Sequence, residues 1–478
     1  MAALDGFDGL TVNKRWVALF VLCLGVLMIV LDTTIVNVAL PSIKADLGFT
    51  DTSLVWVINA YMLAFSGFML LGGRLGDLYG QRRVFLVGLS IFTLASLACG
   101  VAQSQFFLIA ARAVQGFGGA IVNAVALSII LNLFTENADR AKAMGFFGFV
   151  AAGGGAIGVL LGGILTGSFD WHWNFLVNIP IGITVFALCM WLLPKNEGMH
   201  VKLDLWGAIT VTGALMLAVY AVVNGNAAGW FSLQTLGLLG GAAALFAAFL
   251  YIERTVASPL VPLSIFKPGN IATASIIGIL WSAAMFSWFF LLALYLQLIL
   301  GYKPLQVGLS FLPGNLIMMA FSLGLSAWVV MRFGTKKPLA LGMALIALGL
   351  ISFGLAPENG SFLLNVFPGM LLLGVGAGLA FNPVLLSATD GIPQDESGLA
   401  SGVLNTAFMM GGSLGLAVLA SLAAWRTGSL LQGGTEQLAA LLSGYHIAFF
   451  VGAVFAIFAA LLTLRLKTTD SQTPITLH

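Results

Sequence analysis

The stretch that decides the fold reads Leu31-Asp32-Thr33-Thr34-Ile35-Val36-Asn37-Val38-Ala39-Leu40-Pro41. It closes an apolar run that starts at Trp16 and is longer than the about 20 residues with which a helix crosses a bilayer. Asp32 is the one charged residue in that run, and a carboxylate at mid-membrane costs about 2.5–3.5 kcal/mol or more. Because intramembrane acids usually carry function, we expect Asp32 to face a buried cation, carry a proton or line a water-filled cavity. The alternative is a structural hydrogen bond or an acid at the membrane interface.

The composition is that of a polytopic membrane protein. Of the 478 residues, 60% are hydrophobic and 8% are charged, whereas soluble domains carry about 25% charged residues. The formal net charge of +2 gives no reason to expect nucleic acid as a partner. The three cysteines lie inside apolar runs, so they predict no disulfide framework. The first run is too long for the core of a signal peptide, and we expect it to be retained as a span.

Fourteen apolar segments are long enough to cross the bilayer one after another, which predicts an all-α protein with fourteen transmembrane helices. Their even number places both termini on the same side of the membrane. The predicted segments are 15–40, 53–72, 84–103, 106–131, 143–166, 173–193, 204–224, 230–251, 270–300, 304–331, 338–356, 361–388, 398–424 and 441–464.

Charge placement supports this count and orients the chain. With both termini in the cytoplasm, all but four of the 20 Lys and Arg residues fall in inner segments, as the positive-inside rule requires. The exceptions are Lys44, Lys303 and Arg426 in outer loops and Arg112 inside the fourth span. All acids except Asp32 lie in loops or tails. The predicted interior therefore holds one acid and one base, and we expect Asp32 and Arg112 to pair.

A weak internal repeat divides the chain. The matching segments are Gly80-Gln81-Arg82-Arg83 (followed by Gly88) and Gly334-Thr335-Lys336-Lys337 (followed by Gly342), Gly116-x-Gly118 and Gly374-x-Gly376, and Gly155-x-x-Gly158 and Gly412-x-x-Gly415. Such repeats are typical of transporters whose binding site lies between the two halves. They predict a six-helix bundle at 1–194, inserted helices 7 and 8 with their linkers at 195–269, a second six-helix bundle at 270–466 and a cytoplasmic tail at 467–478.

The fourth span carries a polar face within Leu108–Ala120 and just beyond it. Arg112, Gln115, Gly116, Gly119 and Asn123 follow helical spacing and share one side of the helix. A guanidinium keeps its charge inside a protein, so it must face a carboxylate, carbonyl groups or a cavity. We expect Arg112 to tune the proton affinity of a nearby acid. The alternative is a structural tie to a neighbouring helix.

The inner loop after the second span combines glycines with charges. The residues concerned are Gly73, Arg74, Asp77, Gly80, Arg82 and Arg83. Glycines permit a tight turn and close helix approach, and a charged contact is a simple two-state element. We interpret this loop as a cytoplasmic gating loop. The alternative is a determinant of topology, since basic inner loops are general.

The fifth span carries a stripe of small residues. Gly154, Gly158 and Gly162 recur at four-residue spacing, and Gly163 adjoins them. Such stripes let helices approach closely. Close packing within one bundle and a sealing surface between the two halves are both compatible with the pattern.

These stretches resemble the signature motifs of a known family. Leu31–Pro41, Gly73–Arg83, Leu108–Ala120 and Gly154–Gly163 are similar to motifs of the major facilitator superfamily. With fourteen predicted helices, the chain resembles the 14-spanner drug:proton antiporter branch, and Trp171–Gly182 supports this placement. Two positions depart from that branch: Val159 replaces the usual proline after Gly158, and Phe408-Met409 replaces a common Arg-Gln pair.

The resemblance implies a major facilitator fold and a proton-coupled exporter of hydrophobic or amphipathic compounds, of the multidrug efflux type, working by alternating access. It implies proton coupling at Asp32 and Arg112, a supporting role for the Gly73–Arg83 loop, and function as a monomer. No cofactor other than the coupling proton is expected. The location expected is the bacterial inner (plasma) membrane, with the bilayer and a small-molecule substrate as partners.

Uncharged polar, aromatic and methionine side chains in the spans suggest the substrate lining. Such a lining suits a bulky amphipathic ligand held in several poses, and an organic cation would use both aromatic faces and Asp32. The alternative for each residue is a position in the core or against lipid. The candidates are Asn37, Asn59, Tyr61, Gln115, Asn123, Trp281, Trp288, Tyr295, Asn315, Asn405 and Met409.

Other functional classes find little support in the sequence. It contains no HExxH motif and no P-loop, so metalloprotease chemistry and direct use of ATP are not expected. His172 is predicted outside and His200 inside, so this pair suggests no metal site. A membrane enzyme or receptor is not favoured, because the sequence shows neither a catalytic cluster nor an extramembrane domain. The open alternative is a dedicated exporter of a single metabolite or antibiotic on the same scaffold.

Overall fold

The computed structural model describes residues 12–50, 52–134, 136–194, 204–256, 259–267, 269–321, 325–390, 392 and 397–467. In these ranges all regular structure is helical. The α-helices are α1 Val12–Leu47, α2 Trp56–Tyr79, α3 Gln81–Gly100, α4 Gln105–Leu133, α5 Asn137–Ser168, α6 Trp173–Leu176, α7 Asn178–Leu192, α8 Leu205–Ala228, α9 Leu233–Thr255, α10 Ile271–Leu294, α11 Pro304–Ala320, α12 Ser326–Phe333, α13 Lys336–Gly354, α14 Phe367–Thr389, α15 Ser397–Gln432 and α16 Gln437–Leu462.

The helices are those of a multi-pass membrane protein. Within the described ranges, 11 helices are long and apolar enough to cross a membrane. Shorter apolar helical segments at Ser53–Met69, Gly153–Ser168 and Pro304–Ala320 coincide with the second, fifth and tenth predicted spans. The all-α prediction is confirmed, whereas the total of fourteen spans stays a prediction. The tail that was predicted to follow residue 467 lies outside the described residues.

Helix boundaries follow local chemistry that the sequence makes visible. Ser104 caps α4 by accepting a hydrogen bond from Phe107 N, and Asp204 caps α8 by accepting one from Gly207 N at 2.8 Å. Gly80 separates α2 from α3 with a φ of 87°, a backbone conformation that only glycine adopts without strain. Gly334, its counterpart in the repeat, separates α12 from α13 with a φ of 74°.

The internal repeat reappears as matched helix crossings. A Cβ atom on Gly118 of α4 would lie 2.9 Å from the carbonyl oxygen of Gly88 on α3. A Cβ atom on Gly376 of α14 would lie 2.7 Å from the carbonyl oxygen of Gly342 on α13. Both distances are too short for any side chain, so the same glycines fix the same close crossing in each half.

Helix α5 uses its glycines on two sides. Gly158 packs against Leu31 and Thr34 of α1, and Gly162 packs against the backbone of Ile35. Gly163 instead faces α11, where a Cβ atom would lie 2.8 Å from the carbonyl oxygen of Pro304. The predicted stripe therefore packs mainly against α1 in its own half, and its neighbour Gly163 contacts the other half.

Of the two inserted helices, α8 lies against both halves. Gly67 of α2 is in such close contact with Thr212 of α8 that no side chain would fit between them. Toward the other end of α8, Asn226 donates hydrogen bonds to the carbonyl oxygen of Ser421 on α15 at 2.7 Å and to its Oγ at 3.0 Å. Helix α8 thus touches α2 and α15, two helices that also contact each other where the halves meet.

Candidate functional site

Asp32 lies in the middle of α1 and is fully buried. Its Oδ2 forms an ion pair with Arg112 of α4. Its Oδ1 accepts hydrogen bonds from Gln115 Nε2 at 2.7 Å and from Asn178 Nδ2 at 3.0 Å. Three donors therefore surround the carboxylate, which is how a protein stabilises a buried charge. The pairing expected from the sequence is present.

Arg112 is held on several sides as well. Its Nη1 donates to Gln115 Oε1 at 2.6 Å in addition to Asp32, and its Nε donates to the carbonyl oxygen of Val57 on α2 at 2.9 Å. The guanidinium lies 4.3 Å from the centre of the Tyr61 ring, within the range of a cation–π contact. Arg112 thus links the carboxylate on α1 to the backbone and an aromatic ring of α2.

Gln115 joins the remaining members of the cluster. Its Nε2 donates to Ser96 Oγ on α3 at 2.7 Å, and its Oε1 lies 3.6 Å from Cys99 Sγ. Asn178 of α7 donates a longer hydrogen bond of 3.5 Å to Ser96. We call Asp32, Ser96, Arg112, Gln115 and Asn178 the Asp32 cluster. It brings four helices, α1, α3, α4 and α7, to one carboxylate.

Sequence reasoning found part of this cluster. Asp32 and Arg112 were predicted as partners. Gln115 and Tyr61, which were predicted as substrate contacts, also pack against that pair. Ser96 and Asn178 were missed. Asn178 belongs to the Trp171–Gly182 segment that supports the family resemblance, so that segment held a usable signal. Ser96 lies in an apolar helix and gives no such signal.

The other candidate lining residues are spread over both halves. Asn37 donates to the backbone of its own helix, and Tyr295 donates to the carbonyl oxygen of Pro357 at 2.9 Å. Asn59 of α2 accepts a hydrogen bond of 3.2 Å from Ser413 of α15, across the contact between the halves. The remaining candidates lie apart from the Asp32 cluster: Trp281, Trp288 and Asn315 are buried, and Asn123, Asn405 and Met409 are half-buried.

The predicted gating loop is tied to helices of its own half. Gln81 is buried, donates to Ser128 Oγ at 2.6 Å and accepts from Asn132 Nδ2 at 3.1 Å, both on α4. Arg82 donates to the carbonyl oxygen of Met190 on α7. Gly73, Arg74 and Arg83 are at least partly exposed, and the side chain of Asp77 lies outside the described part of the chain. The loop thus contacts α4 and α7, which also supply the Asp32 cluster.

The chemistry available to the Asp32 cluster is proton binding. An ionised carboxylate offers about four acceptor positions, and three N–H donors from Arg112, Gln115 and Asn178 occupy it here. Adding a proton converts one oxygen into a donor and removes the charge that holds Arg112. Since the guanidinium cannot release its own proton, only Asp32 in this cluster can change charge.

Comparisons with known proteins show which proteins the chain resembles. The family model of the Major Facilitator Superfamily matches residues 22–416. The cephamycin export protein CmcT of Amycolatopsis lactamdurans is 38% identical over 461 residues, which cover 96% of this chain and 93% of that protein. The puromycin resistance protein pur8 of Streptomyces alboniger is 37% identical, with 96% and 92% covered. The multidrug resistance protein Stp of Mycobacterium tuberculosis is 35% identical, with 85% and 76% covered.

Solved structures give the same fold at low sequence identity. An auto-inhibited POT family peptide transporter superposes with a TM-score of 0.66 at 16% identity, covering 97% of this chain and 99% of that one. The xylose transporter XylE from E. coli superposes with a TM-score of 0.62 at 14% identity, covering 95% and 100%. At these identities the likeness concerns the fold alone.

Proposed function

This chain belongs to the Major Facilitator Superfamily, and from that membership we propose that it is a proton-coupled exporter of hydrophobic or amphipathic compounds. Its relatives are named for antibiotic export, antibiotic resistance or multidrug resistance, which supports efflux as its function. The Asp32 cluster is the observation that supports protons as the driving ion. Within this cluster Asp32 is the group whose charge can change.

In the coupling we propose, proton binding and substrate binding change the charge of Asp32 in opposite directions. When Asp32 is ionised, Arg112, Gln115 and Asn178 hold α1 against α4 and α7. A proton entering from outside would remove the charge and weaken these contacts. Binding of substrate from inside would then favour release of that proton, so that inward proton movement drives outward export.

A short path leads from the carboxylate to the contact between the halves. Arg112 donates to the carbonyl oxygen of Val57 on α2, and two residues further along α2 Asn59 bonds to Ser413 of α15. A change in the Asp32–Arg112 ion pair therefore acts on a helix that touches the opposite half. This is a two-state element of the kind that alternating access requires.

Other contacts between the halves are of the kind that would have to break during transport. Gln297, after α10, donates to the carbonyl oxygen of Val38 on α1 at 3.0 Å. Gly163 of α5 packs closely on Pro304 of α11. In the proposed orientation, with cytoplasmic termini, these contacts lie on the outer side and close it.

The architecture we propose keeps the division inferred from the repeat. It consists of bundles at 1–194 and 270–466, the insert at 195–269, a tail at 467–478 and fourteen spans. The Gly73–Arg83 loop serves as a gating element through its ties to α4 and α7. A monomer is the working unit, and no bound cofactor beyond the coupling proton takes part.

A dedicated exporter of one metabolite or antibiotic is the second candidate. It is supported by relatives whose names specify one compound, such as cephamycin or puromycin. Competition experiments distinguish the two candidates, because only a multidrug exporter is inhibited by chemically unrelated compounds.

The test of the proposed function is efflux of a fluorescent dye from energised cells that express wild type or Asp32→Asn protein. We expect wild type to lower dye accumulation, and either a protonophore or the substitution to abolish this effect. The Asn224→Ala protein is a control, because the amide of Asn224 bonds to the backbone of its own helix. Gradient-driven efflux by the Asp32→Asn protein would contradict the proposal.

A further inference from the structure

The C-terminal half contains buried hydrogen-bond donors without a protein partner. Trp281 Nε1, Trp288 Nε1 and Asn315 Nδ2 are shielded from solvent and make no hydrogen bond with any residue that the structure describes, and these three residues are at most 7% exposed. Leaving a buried donor unpaired is costly, so three such donors in neighbouring helices need an explanation. We call these three residues the donor face.

The two indoles lie along one side of α10. Trp281 and Trp288 are seven residues apart, so they share a helix face and are separated by about 10 Å along the axis. The Trp281 ring lies 5.6 Å from Phe381 of α14 and 5.2 Å from Phe408 of α15, centre to centre. This end of the donor face is therefore lined by aromatic rings from three helices.

The other end of the donor face is built in the same way. The Trp288 ring lies 4.5 Å from Phe289 and 5.8 Å from Phe311 of α11. A Cβ atom on Gly314 would lie 3.4 Å from the Trp288 ring, and Asn315 is the next residue of that helix. Fixed N–H donors thus alternate with aromatic surface along the junction of α10, α11 and α14.

The helices around the donor face carry no carboxylate that would hold a cation. The segments 270–356, 361–389, 397–435 and 437–467 contain no Asp or Glu in the sequence. Asp32, the one acid of the predicted spans, is occupied by Arg112, Gln115 and Asn178. The unpaired groups are donors, and they call for a ligand that brings acceptor oxygens rather than positive charge.

We propose that the donor face is a specificity site for uncharged, planar or aromatic compounds that carry carbonyl or ether oxygens. The indole N–H groups of Trp281 and Trp288 and the amide of Asn315 bind the oxygens, while the phenylalanine rings contact the apolar body of the compound. The inference rests on the proposed export function and adds a substrate class to it. A permanent organic cation without carbonyl groups is the poorer ligand.

The test separates binding from transport. Purified wild-type protein is titrated with chloramphenicol, an uncharged amide, and with ethidium, an aromatic cation without a carbonyl group, and stabilisation against thermal unfolding gives each Kd. Trp281→Phe and Trp288→Phe keep an aromatic ring, smaller than the indole, and remove the N–H donor. Trp191→Phe is the matched control, because Trp191 is 77% exposed. Efflux of both compounds is measured in parallel.

We expect wild type to bind chloramphenicol more tightly than ethidium. Each buried substitution should weaken chloramphenicol binding by about 3- to 10-fold, the value of one neutral hydrogen bond, and leave ethidium binding unchanged, with no effect in the control. Preference for ethidium, or equal loss for both compounds, overturns the substrate class while leaving export intact. Tight binding of chloramphenicol without efflux of either compound refutes the export function and leaves the donor face standing.

Discussion

The two halves of the molecule share a close helix crossing, but the side chains beside it are polar in the first half and apolar in the second. In the first half, Arg112 and Gln115 precede the Gly116-x-Gly118 pair of α4 by four residues and one residue, and both belong to the Asp32 cluster. In the second half, the same positions before Gly374-x-Gly376 of α14 are Met370 and Leu373. Both of these side chains are fully buried in the apolar core.

The difference shows that the glycines determine how closely the helices pack, whereas the residues before them determine the chemistry of each half. Gly116 packs on the carbonyl oxygen of Tyr61, and Gly374 packs on that of Gly314, so each half brings its helices equally close. A polar, ionisable interior results in one half and an apolar one in the other. We infer that the Asp32 cluster has no counterpart at the matching positions of the second half, where Met370 and Leu373 can bind no proton.

The largest effect is expected when Arg112 is replaced by methionine, the residue found at the matching position 370 of the second half. Arg112→Met leaves the buried Asp32 carboxylate without its cation, and removing one partner of a buried ion pair destabilises a protein by about 3–5 kcal/mol. We expect such a loss in denaturant unfolding of the purified protein, together with loss of transport.

Two further variants give this experiment its controls. Met370→Leu, at the matched position of the second half, should cost less than about 1.5 kcal/mol, as volume-conserving core changes do. Adding Asp32→Asn to Arg112→Met removes the stranded charge and should recover most of the lost stability. If the double variant is as unstable as Arg112→Met alone, the ion pair is not what holds this crossing together.

The shared scaffold is tested by alanine at the two equivalent glycines. A Cβ atom on Gly116 would overlap the carbonyl oxygen of Tyr61, and one on Gly374 would lie 2.6 Å from that of Gly314. Each substitution should lower stability by about 1–3 kcal/mol, the usual cost of overpacking. Gly155→Ala is the control, since no described residue of another helix has a heavy atom within 4 Å of its Cβ position. Unequal losses at the two positions would show that the crossings are not equivalent.

A smaller effect is expected from removing one hydrogen-bond donor of Asp32. Asn178→Ala removes one donor from the ionised carboxylate of Asp32, and a hydrogen bond to a charged group contributes about 1.5–3 kcal/mol. The carboxylate then keeps two of its three donors, so we expect denaturant unfolding of the purified variant to show a loss of about that size. Asn224→Ala should cost less, because the amide of Asn224 bonds to the backbone of its own helix, and an equal loss in the two variants would contradict the role given to Asn178.

Charge counting was enough to find the centre of the site. One acid and one base in fourteen predicted spans leave few alternatives, because an unpaired charge in hydrocarbon is so costly. The roles of the glycine pairs and of the turn glycines Gly80 and Gly334 could also be predicted from the sequence, since close helix approach and a positive φ both require glycine.

The uncharged members of the site were harder to predict. Ser96 and Asn178 differ little from other polar residues within the spans, and their role depends on how α3 and α7 pack around α4 in three dimensions. The contacts of Gln115 and Tyr61 with the ion pair also depend on that packing. The ties of Gln81 and Arg82 to α4 and α7 likewise depend on tertiary packing.

The most direct test of the account is proton release on substrate binding. Purified protein in weakly buffered detergent solution, with a pH indicator, is mixed with a compound that stabilises it against thermal unfolding. If Asp32 exchanges its proton for substrate, wild type should release close to one proton per bound molecule at a pH where the site is protonated, and Asp32→Asn should release none while still binding. Equal proton release by both proteins would show that the coupling proton lies elsewhere.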